Sequence, residues 1–129
     1  MYKCVIILLL ISSCTDKGEP IEYVFKNSTE KSFQLLLFEK ASIVSDFKIA
    51  LNGSSVVYTD KPPFDGPFAG IDSLRIIFED GKILSYVPLI SNDNCINAIK
   101  NPYCANFYNQ CNSNSCIFQI DNIEYLKAK

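Results

Sequence analysis

Residues 73–87 constrain this chain more than any other stretch. Two runs rich in β-branched and aromatic residues, 73–79 and 82–87, flank Asp80-Gly81. Asp-Gly between two such runs supplies the positive φ angles of a two-residue type I′ turn, so the stretch is predicted to be a β-hairpin. A turn of that length also sets a register. Glu79 faces Lys82 as an opposite-charge pair, Phe78 faces Ile83, Ile76 faces Ser85 and Leu74 faces Val87. The last three pairs share one face and form a core stripe, while Ile77 by Leu84 and Arg75 by Tyr86 make a mixed outer surface.

The remaining chain is punctuated in the same style. Residues 21–26 and 32–38 are strand-like and flank a polar turn at 27–31, which predicts a strand pair. Residues 33–38 are apolar on both faces, as a central strand would be. Residues 47–51 and 54–59 flank Asn52-Gly53, a second hairpin signal. Residues 60–70 contain Pro62, Pro63, Gly66, Pro67 and Gly70 and are excluded from regular structure. Phe64 and Phe68 lie in that loop. The favoured reading is a crossover between sheets whose phenylalanines fold back onto the core; the other is a protruding binding loop. Residues 92–100 read as a short helix stopped by Asn101-Pro102, and 116–120 as a last strand. Asp121 stands three before Glu124, the spacing of a capping box, and opens a short terminal helix. Seven short strands with frequent turn signals predict an all-β domain. The expected form is a small antiparallel β-sandwich, immunoglobulin-like or similar, with a short C-terminal helix; a small barrel is the alternative.

Four of the six cysteines, Cys95, Cys104, Cys111 and Cys116, crowd into the last quarter of the chain. In an exported protein such an even set reads as two disulfides. Of the three connectivities, Cys111 with Cys116 and Cys95 with Cys104 is favoured. Residues 112–115 are all turn-formers, and a hairpin of 107–111 with 116–120 would set Cys111 opposite Cys116. Asn101-Pro102 gives the chain between Cys95 and Cys104 a place to return on itself. Bound zinc and free thiols are the alternatives, and zinc is disfavoured by the absence of any Cys-x-x-Cys pair or histidine.

At the N-terminus, Lys3 precedes an apolar run over 5–11, which is followed by Ser12, Ser13 and Cys14. That is the layout of a cleaved signal peptide, and the run is too short to span a bilayer, which takes roughly 20 apolar residues. Ile11-Ser12-Ser13-Cys14 resembles the lipobox of bacterial lipoproteins, in which the cysteine is lipidated and becomes the new N-terminus. The resemblance implies a signal peptide over 1–13, a lipidated Cys14 with a tether to 20, and a folded domain over 21–129. It also implies attachment to the cell envelope, with the outer membrane expected and its face open. The mature chain is similar to a broad class of small lipoproteins of Gram-negative bacteria. The stretches that carry this are 24–29, 72–74 through 78–82, and 118–125. That class implies a compact β-rich fold in the envelope and carries no activity. Asp72-Ser73-Leu74 also resembles a short O-glycosylation motif of such bacteria. Asn27-Ser28-Thr29 fits the N-glycosylation pattern, here read as a chance match.

Composition narrows the chemistry. Histidine is absent, which removes Ser–His and Cys–His pairs and the commonest metal ligand. With net charge −2 and a single arginine, Arg75, a nucleic-acid partner is not expected. No spacing among the carboxylates singles out a glycosidase pair. Asp93 with Asn92 and Asn94 lacks the pattern of a calcium loop. No catalytic residue, metal or cofactor is therefore assigned. The expected function is non-enzymatic: an anchored envelope protein that binds another envelope protein or supports an assembly. A carbohydrate- or ligand-binding module is the alternative, using Phe64, Phe68, Tyr103, Phe107 and Tyr108 as stacking rings. A row of exposed rings beside a groove would favour that alternative, and their burial the first.

Overall fold

The computed structural model describes residues 18–89, 95–96, 98–112 and 114–129. Its elements are β1 (Ile21–Asn27), β2 (Phe33–Glu39), β3 (Ser42–Ile49), β4 (Ser54–Asp60), β5 (Ser73–Phe78), β6 (Ile83–Tyr86), β7 (Ser115–Ile120) and the helix α1 (Asn122–Lys127). They form a sandwich of a three-stranded sheet, β4-β1-β7, on a four-stranded sheet, β3-β2-β5-β6. β1 and β7 run parallel, and the other strand pairs are antiparallel. An immunoglobulin constant domain groups its strands 1-2-5-4 and 3-6-7. The order here differs, so the sandwich is of a similar kind with its own threading.

The period-two pattern builds the core. Tyr23, Phe25, Val57, Phe118 and Ile120 from one sheet meet Phe33, Leu35, Leu37, Leu74, Ile76, Phe78 and Tyr86 from the other. Aromatic pairs fill it: Phe25 stacks on Phe118 within the three-stranded sheet at 5.1 Å, and Tyr86 meets Phe118 across the layers at 6.3 Å. β2 is central, as its two apolar faces require, and even outward-facing Leu36 is buried.

Three local expectations are corrected. First, β1 and β2 do not pair: they lie in different sheets, and residues 28–32 carry the chain across the sandwich. Asn27 is the knot of that crossing. Its side-chain amide donates to the carbonyls of Lys31 (2.8 Å) and Ile49 (3.3 Å), and its Oδ1 accepts the N–H of Thr29 (3.0 Å). Asn27 is wholly buried, so the glycosylation-like triplet is structural. Second, Asn52-Gly53 makes no hairpin. β3 pairs with β2 and β4 with β1, so this turn is a second crossing. Asn52 takes φ +57° there, and the Gly53 N–H donates to the Ala50 carbonyl at 2.9 Å.

The third correction concerns register. β5 and β6 do form a hairpin, but Ile77 faces Ile83, Ile76 faces Leu84, Arg75 faces Ser85 and Leu74 faces Tyr86. The Gly81 N–H donates to the Phe78 carbonyl, and the Phe78 N–H donates to the Lys82 carbonyl. Gly81 alone takes a positive φ, +87°. That is a three-residue loop, a type I turn closed by a glycine bulge, in place of the expected type I′ turn. A slip of one residue turns every side chain of a strand over. Tyr86 and Leu84 consequently face inward, Tyr86 buried and Leu84 partly so, while Ile83 and Val87 lie 40 % and 59 % exposed. The slip thus brings Leu84 and Tyr86 inward in exchange for Ile83, Ser85 and Val87.

The terminal helix forms as expected. Asp121 is its N-cap, its carboxylate accepting the N–H groups of Ile123 and Glu124, and the Glu124 carboxylate accepts the Asp121 N–H. Of the helix expected over 92–100, residues 98–100 are not helical; residues 92–94 and 97 lie outside the described residues, as do the signal segment, Cys14 and the Asp93 cluster.

Candidate functional site: the disulfide-framed end of the sandwich

The loop of residues 61–72 and the described residues of 95–112 converge on one end of the sandwich, where β1 and β7 begin and β4 and β6 end. The first is organised by a buried carboxylate. Asp60, 4 % exposed at the end of β4, accepts the N–H groups of Asp65 (3.3 Å) and Gly66 (3.0 Å). Gly66 takes φ +96°, which suits a residue without Cβ, and the chain then turns inward. Pro67 and Phe68 are buried, and the Phe68 ring lies among Phe25, Tyr58 and Tyr103 at 5.2–5.9 Å. The favoured crossover reading holds for Phe68. Phe64, four residues earlier, stays 46 % exposed.

The second loop is closed covalently. Cys95 is joined to Cys104 and Cys111 to Cys116, with Cα separations of 5.6 Å and 4.1 Å, which is the favoured connectivity. The hairpin expected around the second bridge is present only as one antiparallel bridge, Asn109 with Ile117. Buried Asn101 fixes the turn between the first pair: its amide donates to the Val87 carbonyl (3.1 Å) and its Oδ1 accepts the Tyr103 N–H (3.0 Å). Tyr108 donates its hydroxyl to the Pro102 carbonyl at 2.6 Å, and burial pushes its pKa well up, so the ring is neutral. Tyr103 is raised too, by burial and then by the Asp72 carboxylate, and its hydroxyl donates to the Ile71 carbonyl at 2.9 Å, tying the two loops together.

Between the loops lies an open cleft of about 650 Å³. Phe64, Asp65, Gly66 and Pro67 form one wall; Cys95, Ile96, Tyr103, Cys104 and Asn106 form the other. Asn106 is held by its bond to the Cys95 carbonyl (3.0 Å), and Ile96 is 77 % exposed. The cleft therefore offers two open apolar groups, Phe64 and Ile96, beside a carboxylate and an amide. It suits a partner with an apolar projection and a polar rim.

Of the five rings considered for stacking, the structure brings only Phe64 and Tyr103 to this cleft. Phe68 and Tyr108 belong to the core, and Phe107 is half-buried against it. The sequence marks Asn101 as part of a turn but not as buried, and it singles out neither Asp60 nor Ile96. A lone Asp before a Pro-rich run and a lone Asn before Pro102 look like ordinary turn residues, and their burial is a tertiary fact. Among the described residues no group of three or more Cys, Asp or Glu could hold a metal, and no helix is long and apolar enough to cross a membrane. The two disulfides point to an oxidising, non-cytoplasmic compartment. Comparison of the chain with protein-family models, with curated proteins and with solved structures found no match.

Proposed function

We propose that this chain is a lipid-anchored cell-envelope protein that acts without catalysis, binding another envelope protein at the disulfide-framed end of its sandwich. The observation that carries this reading is the cleft. One of its walls is closed covalently and the other is pinned by buried Asp60, yet Phe64 and Ile96 are left in the open between them. Exposed apolar anchors on a rigid frame are the usual makings of a protein-binding hot spot. Burial of Phe68 and Tyr108 removes the row of rings a sugar platform would need, and so favours this reading over carbohydrate binding. Anchoring rests on the lipobox-like sequence ending at Cys14, on the membrane of the envelope.

Two measurements test it. Photo-reactive residues placed at positions 64 and 96 in the source cells should cross-link to one and the same protein. A probe at Lys26, on the outer face of the three-stranded sheet, should not. Cross-linking that is equal at all three positions, or absent at 64 and 96, sinks the binding site. Labelled palmitate should enter the chain and be lost in Cys14→Ala; labelling that survives this change removes the anchor.

A further inference from the structure

The two flanks of the sandwich are finished differently. On the β6/β7 flank, α1 packs against both strands and Tyr125 meets Phe78 at 5.0 Å. There Lys129 exchanges both backbone hydrogen bonds with Ile83 (2.8 and 3.1 Å), and Asn109 does the same with Ile117 (2.7 and 2.9 Å). Those strand edges are covered. On the opposite flank β3 and β4 are outermost, and no described residue pairs with the outer edge of either.

β3 is the longest strand, eight residues reading SIVSDFKI, with Ile43 and Val44 55 % and 46 % exposed. A long edge of this composition is one that a solitary domain normally blunts. Here the blunting is partial. The register shift between Leu37 and Phe38 leaves Val44 unmatched, a bulge that spoils the first half for further pairing. Residues 45–49 stay regular, each opposite one residue of β2.

We propose that this half of β3 pairs antiparallel with the same strand of a second copy, about a twofold axis at Phe47. Charge selects the occupant and the register. Centred on Phe47, Asp46 of each copy lies opposite Lys48 of the other, giving two opposite-charge pairs. Centred on Asp46 or on Lys48, like charges face each other, which disfavours the pairing. Asp46 is already oriented by the Gln34 amide, 2.9 and 2.8 Å from its two oxygens, and a carboxylate retains acceptor capacity for a lysine. Phe47, half-buried and packed against the core, would meet its symmetry mate and carry the apolar interior across the axis. A self-complementary patch of this kind closes as a dimer, and the two four-stranded sheets become one of eight strands. The proposal is independent of the cleft and of the anchor, which involve other parts of the chain.

The test is sedimentation equilibrium of the full chain in mild detergent over a range of concentrations. Wild type should fit a monomer–dimer equilibrium. Asp46→Lys and Lys48→Asp should each weaken the dimer at least about tenfold, since each puts like charges opposite one another twice. The double variant, Asp46→Lys with Lys48→Asp, should restore it. Both side chains are exposed, so folding should survive, as unchanged near-ultraviolet dichroism would show. A wild type monomeric throughout, single variants that dimerise as well as wild type, or a double variant that fails to recover would each overturn the proposal.

Discussion

Phe68 shows how much can hang on one side chain. It holds φ +58°, a conformation bulky residues rarely adopt, while its ring is 1 % exposed among three other aromatics. Burial of the ring outweighs the backbone cost and clamps the 61–72 loop to the core. Phe68→Ala should cost about 3–5 kcal/mol in urea unfolding, against a small effect for exposed Phe64→Ala; equal costs would refute the assignment. Sequence could not separate the two rings, because they are one residue type in one loop and only the third dimension sorts them. Glu124 is a second case. It is 3 % exposed, with Lys100 at 3.4 Å, and burial raises its pKa above the ordinary 4.5. Asp121 is lowered, chiefly by its side-chain bond with Glu124. For Glu124 the folded state keeps a proton that the unfolded chain has released, between the ordinary value and the raised one. Its contribution to stability is therefore full below the ordinary value and is lost as pH rises through the raised one. Asp121 acts oppositely, losing its contribution as pH falls through its lowered value. Compared with Glu124→Gln, wild type should gain stability on going from about pH 7 to about pH 5. A constant difference in urea midpoint across that range would count against the assignment.

At the scale of elements, strand existence was more legible than strand pairing. Alternation marked seven strands and seven are present among the described residues, the third of them at Ser42–Ile49 where 47–51 was expected, because period two reports directly which face is buried. Pairing depends on which sheet each strand joins, and turn chemistry is ambiguous on that point. Asp80-Gly81 serves a two-residue or a three-residue loop equally well, and the register taken brings Tyr86 and Leu84 inward. The β2–β3 hairpin went unread because its two-residue turn is Lys40-Ala41, both at positive φ (+50° and +64°) without glycine or asparagine. Replacing Ala41 with glycine should relieve a cost of roughly 1 kcal/mol, less the added freedom of the unfolded chain, and should raise the denaturation midpoint. A lower midpoint would show that the turn is not strained. The disulfide connectivity was readable because short loops limit which cysteines can meet. The cleft was only half legible: the loops were visible as Pro- and Cys-rich segments, but their convergence was not.

For the molecule as a whole, covalent closure and topology divide the labour. The strands supply the core, and the bridges close the C-terminal loop covalently. Replacing both Cys95 and Cys104 with serine should lower stability by about 2–3 kcal/mol in the chain-entropy picture. It should also speed proteolysis within 95–106 while the sheets persist, as limited digestion and far-ultraviolet dichroism would report. An unchanged digestion pattern would contradict this role. The parallel contact of β1 with β7 has a different consequence, one of timing. β1 is the middle strand of its sheet, and one of its two neighbours is the final strand of the chain. A polypeptide emerging from the ribosome, or threading a translocation pore, N-terminus first cannot finish that sheet until residue 120 is free, so the first strand made waits for the last.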